Sequence, residues 1–445
     1  MKTKNFLVAA LTMTMLASCN NENDAVDNGT TQGEDTYIGL TIQLPVGAVT
    51  KAVDNNAETT ETKLTSLKVY CWQTGVAGGM GVPTEIQISD ENVTTGANNT
   101  YTIKSAIKAK TGANNIFVTA NSAPDVTVDQ VTAPLGAVSA NASTISETNN
   151  FAMYSDKVEV VTAVLAEKAA VENGTVTDNT VTTTLRRVAA KIQLTSSLTS
   201  TDETGLTDGT GGGKLYDIKW DISRKTNKFY PIVNGDFTDV TSVTSPHDVE
   251  TDFEANVVPA TAVPANGATA SNMYTNENAH GGEAYLENNT TAVHVMATYA
   301  PATGKYVSNV EGTSPSYNIT KGATDMSKGT TFYTLKATDG NLVAGTYFNQ
   351  AGADAYATLK SGATVATLFN EYTSGICHWA IWLHDGSDKW GVLRNHLYKL
   401  NIRSIKAPGY PEIPDTDTPI DTDTWIQVKL DVEAWNMKDM GNVDL

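Results

Sequence analysis

The chain has 445 residues and a formal net charge of −19, and only 18% of its residues are charged. Such an acidic balance repels phosphate backbones and anionic headgroups, which argues against nucleic acid as a partner and against charge-driven membrane binding. The length predicts two domains or three, each able to bury a core, and a Thr-, Asn- and Gly-rich composition without long helical periodicity predicts a β-dominated extracellular protein.

In chain order, Lys2 and Lys4 precede an apolar run from Phe6 to Leu16 that ends in Leu16-Ala-Ser-Cys19. A basic start, a short apolar segment and small residues describe a secretory signal. The run is too short to span a bilayer. Cys19 directly after Leu-Ala-Ser resembles the lipobox of bacterial lipoproteins, in which the cysteine is acylated and becomes the first mature residue. We expect a signal peptide over 1–18 and an acidic spacer over 19–36.

The first folded segment is Tyr37 to Pro45, in which Ile38, Leu40, Ile42 and Leu44 alternate with Gly39, Thr41 and Gln43. Period-two alternation marks a strand with one buried face. Residues 46–56 are small and flexible and contain one basic residue, Lys51, in the kind of loop that proteases cut. Strands are expected within 63–72, 100–103, 115–121, 157–164 and 181–194. A loop with a short helical turn is expected over 124–141. Between Leu194 and Leu215 the chain turns to Ser, Thr, Asp and Gly, so a domain boundary is placed there, giving domains over 52–200 and 201–445.

The second half opens with a strand over 215–222 and continues through an irregular region, 246–283. Further strands follow at 292–299 and 330–335. A hairpin is expected from Ile376–Leu383, through a turn at His384–Asp388, to Val392–Ile405. The stretch 408–424 holds four prolines and four Asp-Thr pairs. It reads as an extended, self-repelling tether that reaches about 50 Å at ~3.1 Å per residue. It leads into Trp425 to Trp435, where Ile426, Val428, Leu430 and Val432 repeat the apolar spacing of Ile38 to Leu44. The fold class expected is all-β: two tandem β-sandwich domains (transthyretin-like or Ig-like) with a few short helices and a tethered C-terminal strand.

Chemistry-bearing constellations are sparse. Asp415, Asp417, Asp421 and Asp423 lack the glycine and terminal bidentate acid of a calcium loop, so they read as a solvated linker. His378 and His384 share a strand face without a third ligand. Trp379, Trp382 and Trp390 read as core rather than as a sugar platform, because Trp379 shares its face with Cys377, Ile381 and Leu383. Cys71 and Cys377 read as free thiols rather than a disulfide. No nucleophile elbow, phosphate loop or zinc motif is present, so no catalytic residue, metal site or cofactor is expected and the chain does not read as an enzyme.

The lipobox, the alternating strand ahead of a cuttable loop, and the alternating C-terminal strand occur in one order. With them come Asn115 to Asn121, Leu185-Arg-Arg-Val-Ala-Ala-Lys-Ile-Gln-Leu194, and Arg394-Asn-His-Leu-Tyr-Lys-Leu-Asn-Ile402 followed by Pro408-Gly409. Together these features resemble the Bacteroidales major fimbrial subunits (fimbrillins, type V pilins) along essentially the whole chain. The resemblance implies a lipidated precursor carried to the outer membrane, where a surface protease removes the lipid, the spacer and the first strand. The vacated groove then accepts the C-terminal strand of another subunit, and the product is an extracellular fimbria that supports adhesion and biofilm formation. Carried onto this sequence, the removable strand is Tyr37 to Leu44, the donor strand is Trp425 to Trp435, and the partners are other copies of the chain, related subunits and the protease. Well-known members are cut after arginine, but the first arginine here is Arg186. The cut is therefore expected between Lys51 and Ala52, ahead of Lys63 or a non-basic site. The competing readings are a non-cleaved anchor subunit and a surface-anchored glycan-binding lipoprotein, both of which would keep the lipid on Cys19.

Overall fold

A computed structural model of the chain describes residues 33–44, 59–75, 79–97, 99–132, 136–198, 200–202, 205–207, 212–233, 243–246, 250–265, 267–281, 283–384, 390–421 and 426–434. Among them the protein is all-β and built of sandwiched sheets, with a few short helices, of which Gln350–Thr358 is the longest. Asn349 caps that helix by accepting the Gly352 amide at 2.8 Å, which satisfies one of the unpaired donors of its first turn.

The first large sheet runs, in spatial order, Thr84–Gln87, Ser66–Gln73, Gly112–Ala120, Met153–Ser155, Thr180–Arg187, Asp35–Gln43, Thr100–Lys110 and Val93–Thr95, with Glu159–Ala163 added on Gly112–Ala120. Its inner face carries Ile38, Leu40, Ile42, Leu67, Val69, Ile103, Ile107, Phe117 and Leu185, all buried in one apolar cluster. A second cluster forms around Ile192, Leu194, Trp220, Val293, Val295, Trp379, Ile381, Leu400 and Ile402. A third, smaller one gathers Val307, Tyr333, Phe348, Tyr356 and Phe369. The chain crosses from the first cluster to the second between Ala189 and Ala190, so Ala190–Ser196 lies in the second sheet system, ahead of the Gly-rich stretch at 211–213.

The expected hairpin does not form. Ile376–Trp382 pairs with Ala292–Pro301 instead, while His396–Ile405 runs parallel to Ala190–Ser196 and antiparallel to Ile426–Ala434. Among the described residues, the His384–Trp390 bridge and the Gly391 N to Leu383 O bond lie where the two expected arms would meet. Alternation marks which face is buried but carries no partner information, and Asn395, at φ 57°, turns the chain into another sheet. The region 246–283 also contains strands, notably Ser271–Thr275, which pairs with Ala190–Ser196.

The expected tether is bound along its described length. Tyr410 exchanges both backbone bonds with His378, at 2.7 and 2.9 Å. The Trp379 indole donates to Ala407 O at 3.0 Å, Tyr372 Oη to Gly409 O at 2.8 Å, and the Trp382 indole to Asp421 O at 3.1 Å. Glu287 N, Asn288 N and Ile420 N add bonds to Thr418 O, Thr416 O and Tyr285 O. Asp415 faces the Arg224 guanidinium, and Asp417 accepts from the Asn288 amide. Backbone pairing and indole donors thus overcome the repulsion between the acids, and 407–421 is a strap rather than a free tether. Gly409 sits at φ 69°, and a Cβ there would lie 2.2 Å from His378 O, so only glycine fits under this crossing.

Cys377 is buried in the second cluster and Cys71 is half-buried. Both are free thiols, and burial pushes the Cys71 thiol up to about 11. His384 meets the edge of the Trp390 ring, and His378 meets a histidine from the neighbouring strand instead. His294 Nε2 lies 2.8 Å from His378 Nδ1, and burial, helped by the neighbouring His378, pushes His294 down to about 3. Burial lowers His378 as well, against the opposing carboxylate of Glu412 on the strap. In the unfolded chain a histidine titrates near ~6.5, so below that pH the unfolded state binds more protons than the folded one. The stabilisation from keeping His294 neutral is present above pH ~6.5 and is lost as pH falls toward about 3. Urea unfolding should therefore show a midpoint that drops between pH 7 and 4.5, and His294→Asn should flatten that drop.

Candidate functional site

The feature that stands out is the seat of the first strand, Asp35–Gln43. It is an inner strand, parallel to Thr180–Arg187 on one edge (Leu40 opposite Val181, Ile42 opposite Thr183) and antiparallel to Thr100–Lys110 on the other (Ile42 opposite Tyr101). Its alternation is realised in full: Ile38, Leu40, Ile42 and Leu44 are at most 2% exposed. At about 1.5–3 kcal/mol per buried aliphatic side chain, these four contribute on the order of 6–12 kcal/mol, an upper bound because unfolded chains already bury part of this surface.

Polar contacts fix its N-terminal end. The Thr36 hydroxyl is fully buried, donates to Val164 O at 2.7 Å and accepts from Ala166 N at 3.0 Å. The buried Asn179 amide donates to Tyr37 O at 2.9 Å and to Val164 O at 2.7 Å, while its backbone carbonyl accepts from Gly39 N at 2.8 Å. Asp35 lies 2.7 Å from Lys110 Nζ and 2.9 Å from Lys108 Nζ, and these two ammonium groups, Lys110 first, hold its carboxyl down at about 2. The alternation gave Ile38, Leu40, Ile42 and Leu44 but missed Asp35, Thr36 and Asn179. Lys108 and Lys110, two apart on one strand face, were the available signal for an acidic partner.

Both flanks of the following loop are fastened. On the near side Leu44 N donates to Asn99 O at 3.1 Å. On the far side Asn149 N donates to Thr60 O at 2.8 Å, and Asn121 Nδ2 donates to Lys63 O at 2.9 Å. Between them Glu61, 1% exposed, meets Lys191 Nζ at 2.7 Å and accepts from Tyr274 Oη at 2.5 Å, while its carbonyl accepts from the buried Arg187. Lys191 and Tyr274 belong to the second sheet system and Arg187 to the first, so this knot also joins the two. A buried pair is costly to leave half-made, so the chain from Thr60 onward is held in place.

Among the described residues, the last strand, Ile426–Ala434, pairs along one edge, antiparallel to His396–Ile405, with Leu430 opposite Leu400 and Val428 opposite Ile402. Val428 and Leu430 are partly buried against the second cluster. For Ile426 and Val432 only the backbone is described. Cys19, Lys51, Ala52, Trp425 and Trp435 lie outside the described residues. Among the described residues no group of three metal-ligating side chains occurs.

Truncating Ile42 to alanine empties a fully buried position, which in such sites costs about 2–5 kcal/mol. Chemical denaturation of the full chain should show that loss for Ile42→Ala, whereas Thr41→Ala, on the half-exposed face, should change stability by less than about 1 kcal/mol.

Residues 370–440 match the family model described as major fimbrial subunit protein type IV, fimbrillin, C-terminal. That interval contains Ile376–Trp382, His396–Ile405, the strap and the last strand. No curated protein matches the chain. Among solved structures, the chain is similar to a candidate cell adhesion protein from Parabacteroides distasonis, at 17% identity and a TM-score of 0.45, over 91% of this chain and 98% of that one. A fimbrilin from Porphyromonas gingivalis is similar at 14% identity and a TM-score of 0.46, over 89% and 97% of the two chains. A C-terminally truncated tip fimbrial protein from the same organism is similar at 12% identity and a TM-score of 0.35, over 90% and 100%.

Proposed function

We propose that the chain is a structural subunit of a cell-surface fimbria, of the kind its C-terminal match describes, and that it polymerises by exchanging its first strand for the last strand of another copy. In this reading the precursor is acylated at Cys19 and carried to the outer membrane. A surface protease cuts between Lys51 and Ala52, residues 19–51 leave, and the last strand of a neighbour takes the vacant seat.

The observation that carries the reading is the placement of Asp35–Gln43. It is an inner strand with four buried side chains, and it is followed by a loop whose two flanks are separately fastened. Lys63 is a poor site for cutting by comparison, since its carbonyl is held by Asn121 beyond the Glu61 knot. While attached, the first strand competes at an effective concentration of ~mM and keeps the precursor monomeric. Once cut, it can diffuse away and expose two unpaired strand edges, a template for strand addition. Head-to-tail insertion does not close on itself, so the product is a filament that supports adhesion and biofilm formation.

The N-terminal residue and intact mass of the protein recovered from the cell surface test this reading directly. The expected chain starts at Ala52, and Lys51→Ala should leave an unpolymerised precursor while Lys63→Ala matures normally. Recovery of a polymerised chain that still starts at acylated Cys19 would overturn the proposal.

A further inference from the structure

Resting on that strand-exchange reading, we propose the register in which the last strand enters the seat: Asp423, Thr424 and Trp425 replace Asp35, Thr36 and Tyr37, and Ile426, Val428, Leu430 and Val432 replace Ile38, Leu40, Ile42 and Leu44. The proposal comes from setting the seat's contacts beside the two sequences. The first strand reads Asp-Thr-Tyr-Ile-Gly-Leu-Thr-Ile-Gln-Leu from Asp35, and the last reads Asp-Thr-Trp-Ile-Gln-Val-Lys-Leu-Asp-Val from Asp423. Asp-Thr also occurs at 415, 417 and 421, but only the copy at 423 is followed by an aromatic residue and isoleucine.

Each of these positions has a built partner in the seat. Lys108 and Lys110 bracket the Asp35 carboxylate and would bracket that of Asp423. Val164 O and Ala166 N, bonded to the buried Thr36 hydroxyl, would receive the Thr424 hydroxyl. The Asn179 amide bonds a main-chain carbonyl and accepts any side chain at that point.

Sliding the incoming strand by two residues fails at an apolar position in one direction and at the polar points in the other. One slip puts Asp421 at the lysines and Thr422 at the hydroxyl site, but buries Thr424 where the fully buried Ile38 now sits. The other puts Trp425 at the lysines and Ile426 against Val164 O and Ala166 N; Val164 O keeps its bond from the Asn179 amide, but Ala166 N loses its acceptor, and a polar group left unpaired is costly. The ion pairs are solvent-exposed, so their part is selection of register and faster encounter rather than strength. One position demands an adjustment. A Cβ at Gly39 would come within 3.3 Å of Thr180 Cγ2 and 3.4 Å of Val171 Cγ1, so Gln427 would push the short helix Lys168–Glu172 outward by a few tenths of an ångström.

Cysteine pairs in the full-length precursor, matured and assembled normally, read the register. Thr41 lies opposite Thr102 and Gln43 opposite Thr100. The proposed register therefore predicts an inter-subunit disulfide for Lys429→Cys with Thr102→Cys. Cross-linking instead of Lys429→Cys with Thr100→Cys, or of Asp431→Cys with Thr102→Cys, would mean one slip or the other and would overturn the proposal. Normal fibres with no cross-link in any pair would overturn the strand-exchange reading itself. Independently, Thr424→Val should slow assembly about 10-fold. Asp423→Lys should slow it several-fold in a salt-dependent way, and Lys108→Asp with Lys110→Asp should restore it. Absence of that rescue would remove the lysines from the proposal.

Discussion

The constraint on which the structure depends is that one strand near the N-terminus joins the two parts of its sheet. Thr100–Lys110 and Thr180–Arg187 are joined through Asp35–Gln43, and their apolar faces meet over its four buried side chains. A strand in that position cannot simply be lost from a stable fold, because two rows of amide and carbonyl groups and a wide apolar trench would be exposed together. The chain on either side of residues 45–58 is fastened separately, at Leu44 and from Thr60 onward.

The two ends of the chain are therefore unequal. The first strand is bonded on two edges with its apolar face sealed, whereas the last is bonded on one edge with its described side chains half-buried. With one paired edge among the described residues and Val428 and Leu430 only partly buried, the last strand is the easier of the two to detach. The strap moderates this, since it ties the approach to the last strand down through Trp379, Trp382, Tyr372 and Asp415. The buried Glu61–Lys191–Tyr274 knot does the corresponding work at the other end, fixing the chain immediately beyond the loop.

Much of the architecture was legible because alternation is a direct imprint of burial. Ile38 to Leu44 declared one buried face, and Trp379 declared itself core by sharing a face with Cys377 and Ile381. Partner choice was not legible. Ile376–Leu383 and Val392–Ile405 looked like hairpin arms, but period two says nothing about which strand lies alongside, and a two-residue turn at Arg394-Asn395 sent them to different sheets. The strap was missed for a related reason. Proline and aspartate forbid a regular ladder, but they do not forbid isolated backbone bonds to indoles and to a neighbouring strand. The polar frame of the seat was hidden because Thr36, Asn179 and the two lysines are far apart in sequence and ordinary one at a time.

The passage from Thr180–Arg187 into Ala190–Ser196 has a mechanical meaning. The first of these strands borders the seat, and the second runs parallel to His396–Ile405, with Lys191 opposite Leu397 and Ser196 opposite Ile402. A pull applied between the seat and the last strand would enter one member of this parallel pair at its N-terminal end and leave the other at its C-terminal end. That is shear, which stretches the rungs of the pair together, whereas a hairpin pulled at its open end parts one rung at a time. The shortest route for tension through the molecule thus crosses the joint geometry that resists it best, at a strand pair one member of which also carries Ile426–Ala434 on its other edge.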